Sequence, residues 1–460
     1  MNICEDFKGA FPEVQTPALG SYYAAAERFA KIYAGEPPWR FVKKSGLYRG
    51  GSRKMSLLNA AKVLCDRFAF FTFAEQPELV FSDGNAEKYV RGVLDRTGFL
   101  NRMAEYLSRA YAMGGCVFRP YIDGGSIGID CVYGGGFLPL DMSADRINGG
   151  CFRSVKYSGG NIYTLFERHN TKDGAPVVSY KLYRGKDGYS LGEEIPVGEV
   201  YPLPEGDVQF GGIGVEPLFS CFRTAFANNI FPDVPLGISV FANAEDTLKA
   251  IDVAFDSFAR EFILGRKRII VPSSCVQTVV DITTGEQRQY FDADDEAYVA
   301  LKCDEERDLK ITDNTVELRV DEHIKAINAL LNLLCFQVGL APGTFSFEAE
   351  TGVKTATEII SRDSKTAATV RANQHNLGDA LAALCRNIMR LGVYLGELDN
   401  AECDISVKWR DGIITDENTL IDNDIRLVGS GLLSKVTAIM EIRKCSYEAA
   451  LQELERIKAE

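Results

Sequence analysis

The chain has 460 residues, 46% hydrophobic and 25% charged, which is enough for more than one core and too apolar for wholesale disorder. Its 51 Lys and Arg against 64 Asp and Glu give a formal charge of −13, which argues against a protein that holds nucleic acid by neutralising many phosphates, though not against one that DNA passes through. No apolar run reaches the ~18–20 residues of a membrane span, and Met1-Asn2-Ile3-Cys4-Glu5-Asp6 lacks the basic start and apolar stretch of a signal peptide.

In chain order, the first 115 residues read mainly as helices. An Ala-rich helix over 21–33 stops at Gly35, and residues 56–73 place Leu57, Ala60, Ala61, Leu64, Phe68 and Phe71 on one face. Two further helices over 85–112 break near Thr97-Gly98. From Gly114 to about Pro204, short β-branched and aromatic runs alternate with glycine turns and predict an antiparallel sheet. A helix over 243–265 follows, capped by Asn243. Its Leu248, Ile251, Phe255, Phe258 and Phe262 fall at spacings of three and four, a heptad seam that ordinary core packing would also explain. An insertion over 266–320 reads as strands at 269–271, 276–280 and 315–319. A helix from Asp321 repeats the seam with Ile324, Ile327, Leu331, Leu334 and Val338, and Gly339 stops it. The two seams have equal length and predict two legs packed together with the insertion at their far end. After the linker 341–354, the capping box Thr355-Ala356-Thr357-Glu358 opens a helix to about Tyr394, with a bend expected near Gly378. A strand at 405–409, a polar Asp-rich stretch and helices near 434–443 and 447–459 complete the chain.

Catalytic chemistry has little to work with. The 12 cysteines include no CxxC and read as reduced, mostly buried thiols, and the histidines number three: His169, His323 and His375. Gly352-Val353-Lys354-Thr355 lacks the glycine directly before the lysine that a phosphate-cradling loop needs. The acidic run Asp292–Glu296 reads as a solvated turn rather than a Mg²⁺ site. No cofactor is expected.

A resemblance now emerges from particular residues. Phe226-Ala227-Asn228-Asn229-Ile230, Pro235-Leu236-Gly237-Ile238-Ser239-Val240-Phe241, the helix after it and Arg266-Lys267-Arg268 resemble the portal proteins of tailed bacteriophages, of the type found in siphophages and prophages of Gram-positive bacteria. Ile32-Tyr33-Ala34-Gly35 with Trp39, Leu58-Asn59-Ala60-Ala61-Lys62, and Gly339-Leu340-Ala341-Pro342-Gly343 leading to Thr351–Glu358 agree with it, in order, over nearly the whole chain.

The resemblance implies an α+β fold. Its parts are an α/β wing over 1–240, stem helices at 241–265 and 321–340 and a small β-rich clip at 266–320. A tunnel loop at 341–354, a tunnel helix at 355–400, a wing return strand at 401–425 and a short helical crown at 426–460 follow. It further implies a non-enzymatic homo-oligomeric ring, usually of twelve subunits, in the virion's portal vertex and in the host cytoplasm during assembly. Double-stranded DNA would pass through it during packaging and ejection. Its partners would be terminase, a head–tail adaptor, and major capsid and scaffolding proteins, with no membrane. Phe345, Phe347, Glu348, Glu350 and Lys354 are then the DNA-facing candidates, and Arg266, Lys267, Arg268, Asp304, Glu305 and Glu306 the docking candidates of the clip. The competing reading is an enzyme of the packaging machinery, a metal-dependent nuclease or ATPase, against which the missing phosphate loop and scarce histidine weigh.

Overall fold

The computed structural model describes residues 3–44, 51–74, 76–143, 146–187, 190–265, 317–346, 364–409, 417–443 and 447–459, with short strands between 269 and 313. Helices α1 (Ile3–Ala10) and α2 (Gly20–Tyr33) open the chain. The hairpin β1 (Phe41–Lys44) and β2 (Gly51–Lys54) leads to α3 (Ala60–Thr72) and β3 (Glu78–Phe81). Helix α4 (Gly84–Thr97) begins where the Asp83 carboxylate accepts from the Asn85 and Ala86 amides. It ends at Gly98, whose φ of +60° is the left-handed conformation of a helix C-cap, and α5 (Met103–Met113) follows.

The β-rich region separates into two sheets. Strands β4 (Gly115–Asp123) and β5 (Ser126–Val132) form a hairpin, to which β12 (Ser220–Arg223) adds beside β4. The larger sheet runs through β6 (Phe137–Ser143), β7 (Arg146–Ser158), β8 (Asn161–Lys172), β9 (Ala175–Gly185) and β10 (Glu193–Ile195) in sequence order, all antiparallel. Strand β11 (Asp207–Gln209) also pairs with β9. Consecutive hairpins need only short turns, and the glycines at 124–125, 159–160 and 174 supply the positive φ these turns require.

Beyond the sheets come α6 (Glu245–Leu264), α7 (Val320–Gln337) and α8 (Ser364–Tyr394). Strand β17 (Ile405–Lys408) pairs antiparallel with β3, so the chain returns to its N-terminal region. Between α6 and α7, β13 (Ile269–Ile270) pairs with β16 (Thr312–Asp313) and β14 (Gln277–Val280) with β15 (Gln287–Tyr290). Helices α9 (Glu417–Gly429), α10 (Lys435–Arg443) and α11 (Tyr447–Ala459) close the chain.

One main core joins these parts. Leu64 and Phe68 of α3, Tyr111 of α5, Phe118 of β4, Ile251 of α6, Leu334 of α7 and Leu384 of α8 are all buried in it. Each such side chain contributes about 1.5–3 kcal/mol on leaving water. The fold is thus mixed α+β, and the base of the α6–α7 pair is part of the same core as the N-terminal helices.

Several local expectations are corrected. Asn243 does not cap α6: it lies in a 3₁₀ turn, and its amide exchanges hydrogen bonds with that of Asn229 at 3.0 and 3.1 Å. Residues 317–319 are coil leading into α7, not the end of a strand. Helix α8 runs unbroken through Gly378, where the missing Cβ leaves room for Val407 and Trp409. The stretch after β17, read as polar and Asp-rich, contains the helix α9, whose Ile421, Ile425 and Val428 fall at helical spacing between the acidic residues. The proposed capping box at 355–358 lies outside the described residues.

Candidate assembly and channel surfaces

Helices α6 and α7 pack side by side, and their seams carry a gradient of burial. Leu248 and Ile251 at the start of α6, and Ile327, Leu331 and Leu334 toward the end of α7, are buried in the main core. Phe255 and Phe258 are partly buried against that core, and Ile324 is half-buried. Phe262, nearer the insertion, is 45% exposed. Apolar residues also cover the outside of the pair: Ile263 is 59% and Phe336 65% exposed, with Val253 and Leu333 close behind. One chain thus covers only the base of the helix pair.

The far end of the pair is fastened by charge. Glu261 of α6 accepts from Nε and an Nη of Arg319 at 3.1 Å each, immediately before α7. Hydrogen bonding from Arg319 holds the Glu261 carboxyl down to about 2. Phe258 meets both Phe262, edge-to-face at 5.2 Å, and the His323 ring at 5.8 Å.

Two carboxylates that the seam analysis missed fix α6 to the N-terminal region. Asp252 accepts from Trp39 Nε1 at 2.9 Å and the Leu58 amide at 3.1 Å. Asp256, one turn on, receives both ends of the Arg53 guanidinium at 2.6 and 2.7 Å and the Ser56 amide at 2.9 Å. Burial pushes the Asp252 carboxyl above the usual carboxylate range, against its hydrogen bonds, whereas the Arg53 hydrogen bonds hold Asp256 below it. The available signal was an i, i+4 pair of acids beside an apolar seam; their partners lie about 200 residues away and carry no motif.

The linker after α7 is anchored by small polar residues of α8. Thr366 Oγ1 accepts from the Ala341 amide at 2.8 Å, and Thr369 Oγ1 donates to the Gly339 carbonyl at 2.9 Å. Gly339 has φ +74°, and a Cβ there would stand 2.8 Å from Thr369 Oγ1, so a side chain is excluded both by conformation and by space. The Ser/Thr/Ala texture of α8 therefore serves close approach of the linker. Phe345 is half-buried against the main core. Phe347, Glu348, Glu350 and Lys354 lie outside the described residues, as do Arg266, Lys267, Arg268, Asp304, Glu305 and Glu306.

A second buried charge cluster sits between the sheets. Arg119 of β4 donates to Glu167 of β8 at 2.7 Å and to Asp130 of β5 at 2.6 Å, and Glu167 also meets His169 Nε2 at 2.6 Å. Burial raises the Glu167 carboxyl, but Arg119 and His169 outweigh it and leave it below the ordinary range. The cluster ties the three-stranded sheet to the larger one. Among the described residues, no three His, Cys, Asp or Glu converge as a metal site, none of the nine cysteines is in a disulfide, and no helix is long and apolar enough to cross a membrane.

The exterior of the α6–α7 pair is apolar surface that the chain itself leaves uncovered. Residues 49–460 match the family described as phage portal protein, SPP1 Gp6-like, and the chain belongs to that family. The portal family is a structural one, not a family of enzymes. No curated protein matches the chain. Among solved structures it is similar to a chain of the neck of an empty gene transfer agent particle computed with C6 symmetry, at 12% identity and a TM-score of 0.43. It is also similar to a chain of the virion of a native gene transfer agent particle, at 11% identity and a TM-score of 0.41. Both alignments cover 83% of this chain and 88% of the other.

Proposed function

We propose that copies of this chain close into a ring at one capsid vertex, through which double-stranded DNA is packaged and ejected. The observation that carries this reading is the α6–α7 pair, whose base is buried in the core while Phe262, Ile263, Leu333 and Phe336 stay exposed. Water contact with that much apolar surface is unfavourable, and neighbouring copies in a ring would cover it. Within the family's architecture the pair is the stem, residues 266–320 the clip, 341–354 the tunnel loop, the helix ending at Tyr394 the tunnel helix, and residues 426–460 a short crown. The remaining N-terminal region and β17 form the wing. Twelve subunits is the expected count. The clip faces terminase during packaging and the head–tail adaptor afterwards, and major capsid and scaffolding proteins are further partners of the ring. The acidic balance suits a conduit, because a channel that held phosphates tightly would stall the duplex. The test is packaging by procapsids assembled with and without this protein, given terminase, ATP and DNA. Nuclease-protected DNA only when the protein is present is the expected result. Equal protection without it would overturn the reading.

A further inference from the structure

The hairpin β1–β2 stands apart chemically from the rest of the chain. Residues 40–54 contain six Lys or Arg and no Asp or Glu, so the remainder holds 45 basic against 64 acidic residues, a charge of −19. The strands pair with Phe41 opposite Lys54, Val42 opposite Arg53 and Lys43 opposite Ser52. Because side chains alternate across a strand, Phe41, Lys43, Ser52 and Lys54 share one face, and Val42 and Arg53 the other. The Arg53 face is turned to α6 by its two hydrogen bonds to Asp256. The opposite face is turned away from α6: Phe41 is 63% exposed, and Lys43 and Lys54 are exposed and have no carboxylate partner among the described residues.

We infer that this outward face, Phe41 framed by Lys43 and Lys54, docks on an acidic surface of the adjacent copy of the chain, next to the contact made by α6 and α7. The inference rests on the ring reading above. Charge decides the sign of the partner: a basic patch on an otherwise acidic chain is complementary to other copies of that chain. Phe41 decides its class. A duplex presents hydrated phosphates to its surroundings, which reward the lysines but leave the phenyl ring in water, whereas a protein surface satisfies both. The tether to α6 places the hairpin beside the helix pair whose apolar exterior a neighbour would cover, so both contacts form in one docking step.

The test places a photoreactive phenylalanine analogue at Phe41 in the full-length protein and irradiates assembled rings. Covalent dimers of the chain are expected. A Lys43→Glu/Lys54→Glu variant should keep the wild-type circular dichroism as separated subunits, yet give several-fold fewer rings, with the gap closing at high salt. Rings that form normally in the variant and yield no covalent dimers would overturn the inference while leaving the ring intact. Cross-links to added duplex DNA in place of dimers would also overturn it and assign the face to DNA. If the wild type forms no rings, the parent reading falls and this one with it.

Discussion

At the scale of single residues, Asp252 and Asp256 occupy the same face of one helix in opposite electrostatic states. Asp256 has its carboxyl held low by Arg53, so its contribution to stability is present above the ordinary Asp range and is lost as pH falls through its lowered value. Asp252 has its carboxyl raised by burial, so its contribution is full at low pH and declines as pH rises through the raised value. Asp256→Asn leaves the partly buried Arg53 guanidinium without its charge partner and should cost roughly 2 kcal/mol in chemical denaturation. Asp252→Asn has a single acceptor oxygen for Trp39 and Leu58, which now bond different carboxylate oxygens, so it loses one neutral hydrogen bond, about 1 kcal/mol, and strands no buried charge. Equal losses for the two variants would show that charge does not distinguish them. Neither residue was marked in the sequence as an anchor, because Trp39, Arg53 and Leu58 are distant and the contacts exist only once the chain is folded. The reverse holds for Asn243, a good cap by sequence. Asn229 offers it a side-chain partner instead, and tertiary contact overrides local preference.

Among the elements, α6 and α7 were legible because a heptad repeat in two segments of equal length leaves few other arrangements. The repeat could not tell intrachain packing from assembly, since burial depends on what stands opposite each position. Phe258 lies where the two meet. In the isolated chain, Phe258→Ala should cost less than the ~3–5 kcal/mol of a fully buried phenylalanine. If neighbouring copies cover this end, the loss grows on assembly, so the variant should lower ring yield more than it lowers the subunit's melting temperature. Unchanged yield would remove Phe258 from the interface. For the insertion, the family architecture predicts that replacing Asp304, Glu305 and Glu306 by Ser leaves rings intact and weakens capture of terminase or adaptor. Normal capture of both would move the docking surface elsewhere. For the linker, the anchoring of Gly339 and Ala341 by Thr369 and Thr366 leaves only the portion beyond them to act on DNA. Deleting 345–350 should therefore give rings that fail to package or retain full-length DNA. Because Phe345 touches the core, failure to form rings at all would instead assign the segment a structural role.

For the whole molecule, family membership and the exposed helix pair point the same way, one through the order of sequence features and the other through surface that a lone chain leaves wet. The two-sheet arrangement was visible only as glycine-punctuated strands; the sequence had no means of showing that β12, about 90 residues after β5, would complete the smaller sheet. The acidic balance was legible from the start and fits a channel better than a DNA-holding groove. The most direct test of the central claim is electron microscopy of the purified wild-type protein at assembly concentrations. The account predicts closed rings with a central hole, their subunit number constant across the population. Monomers, or compact oligomers with no hole, under conditions where the chain is folded would contradict it.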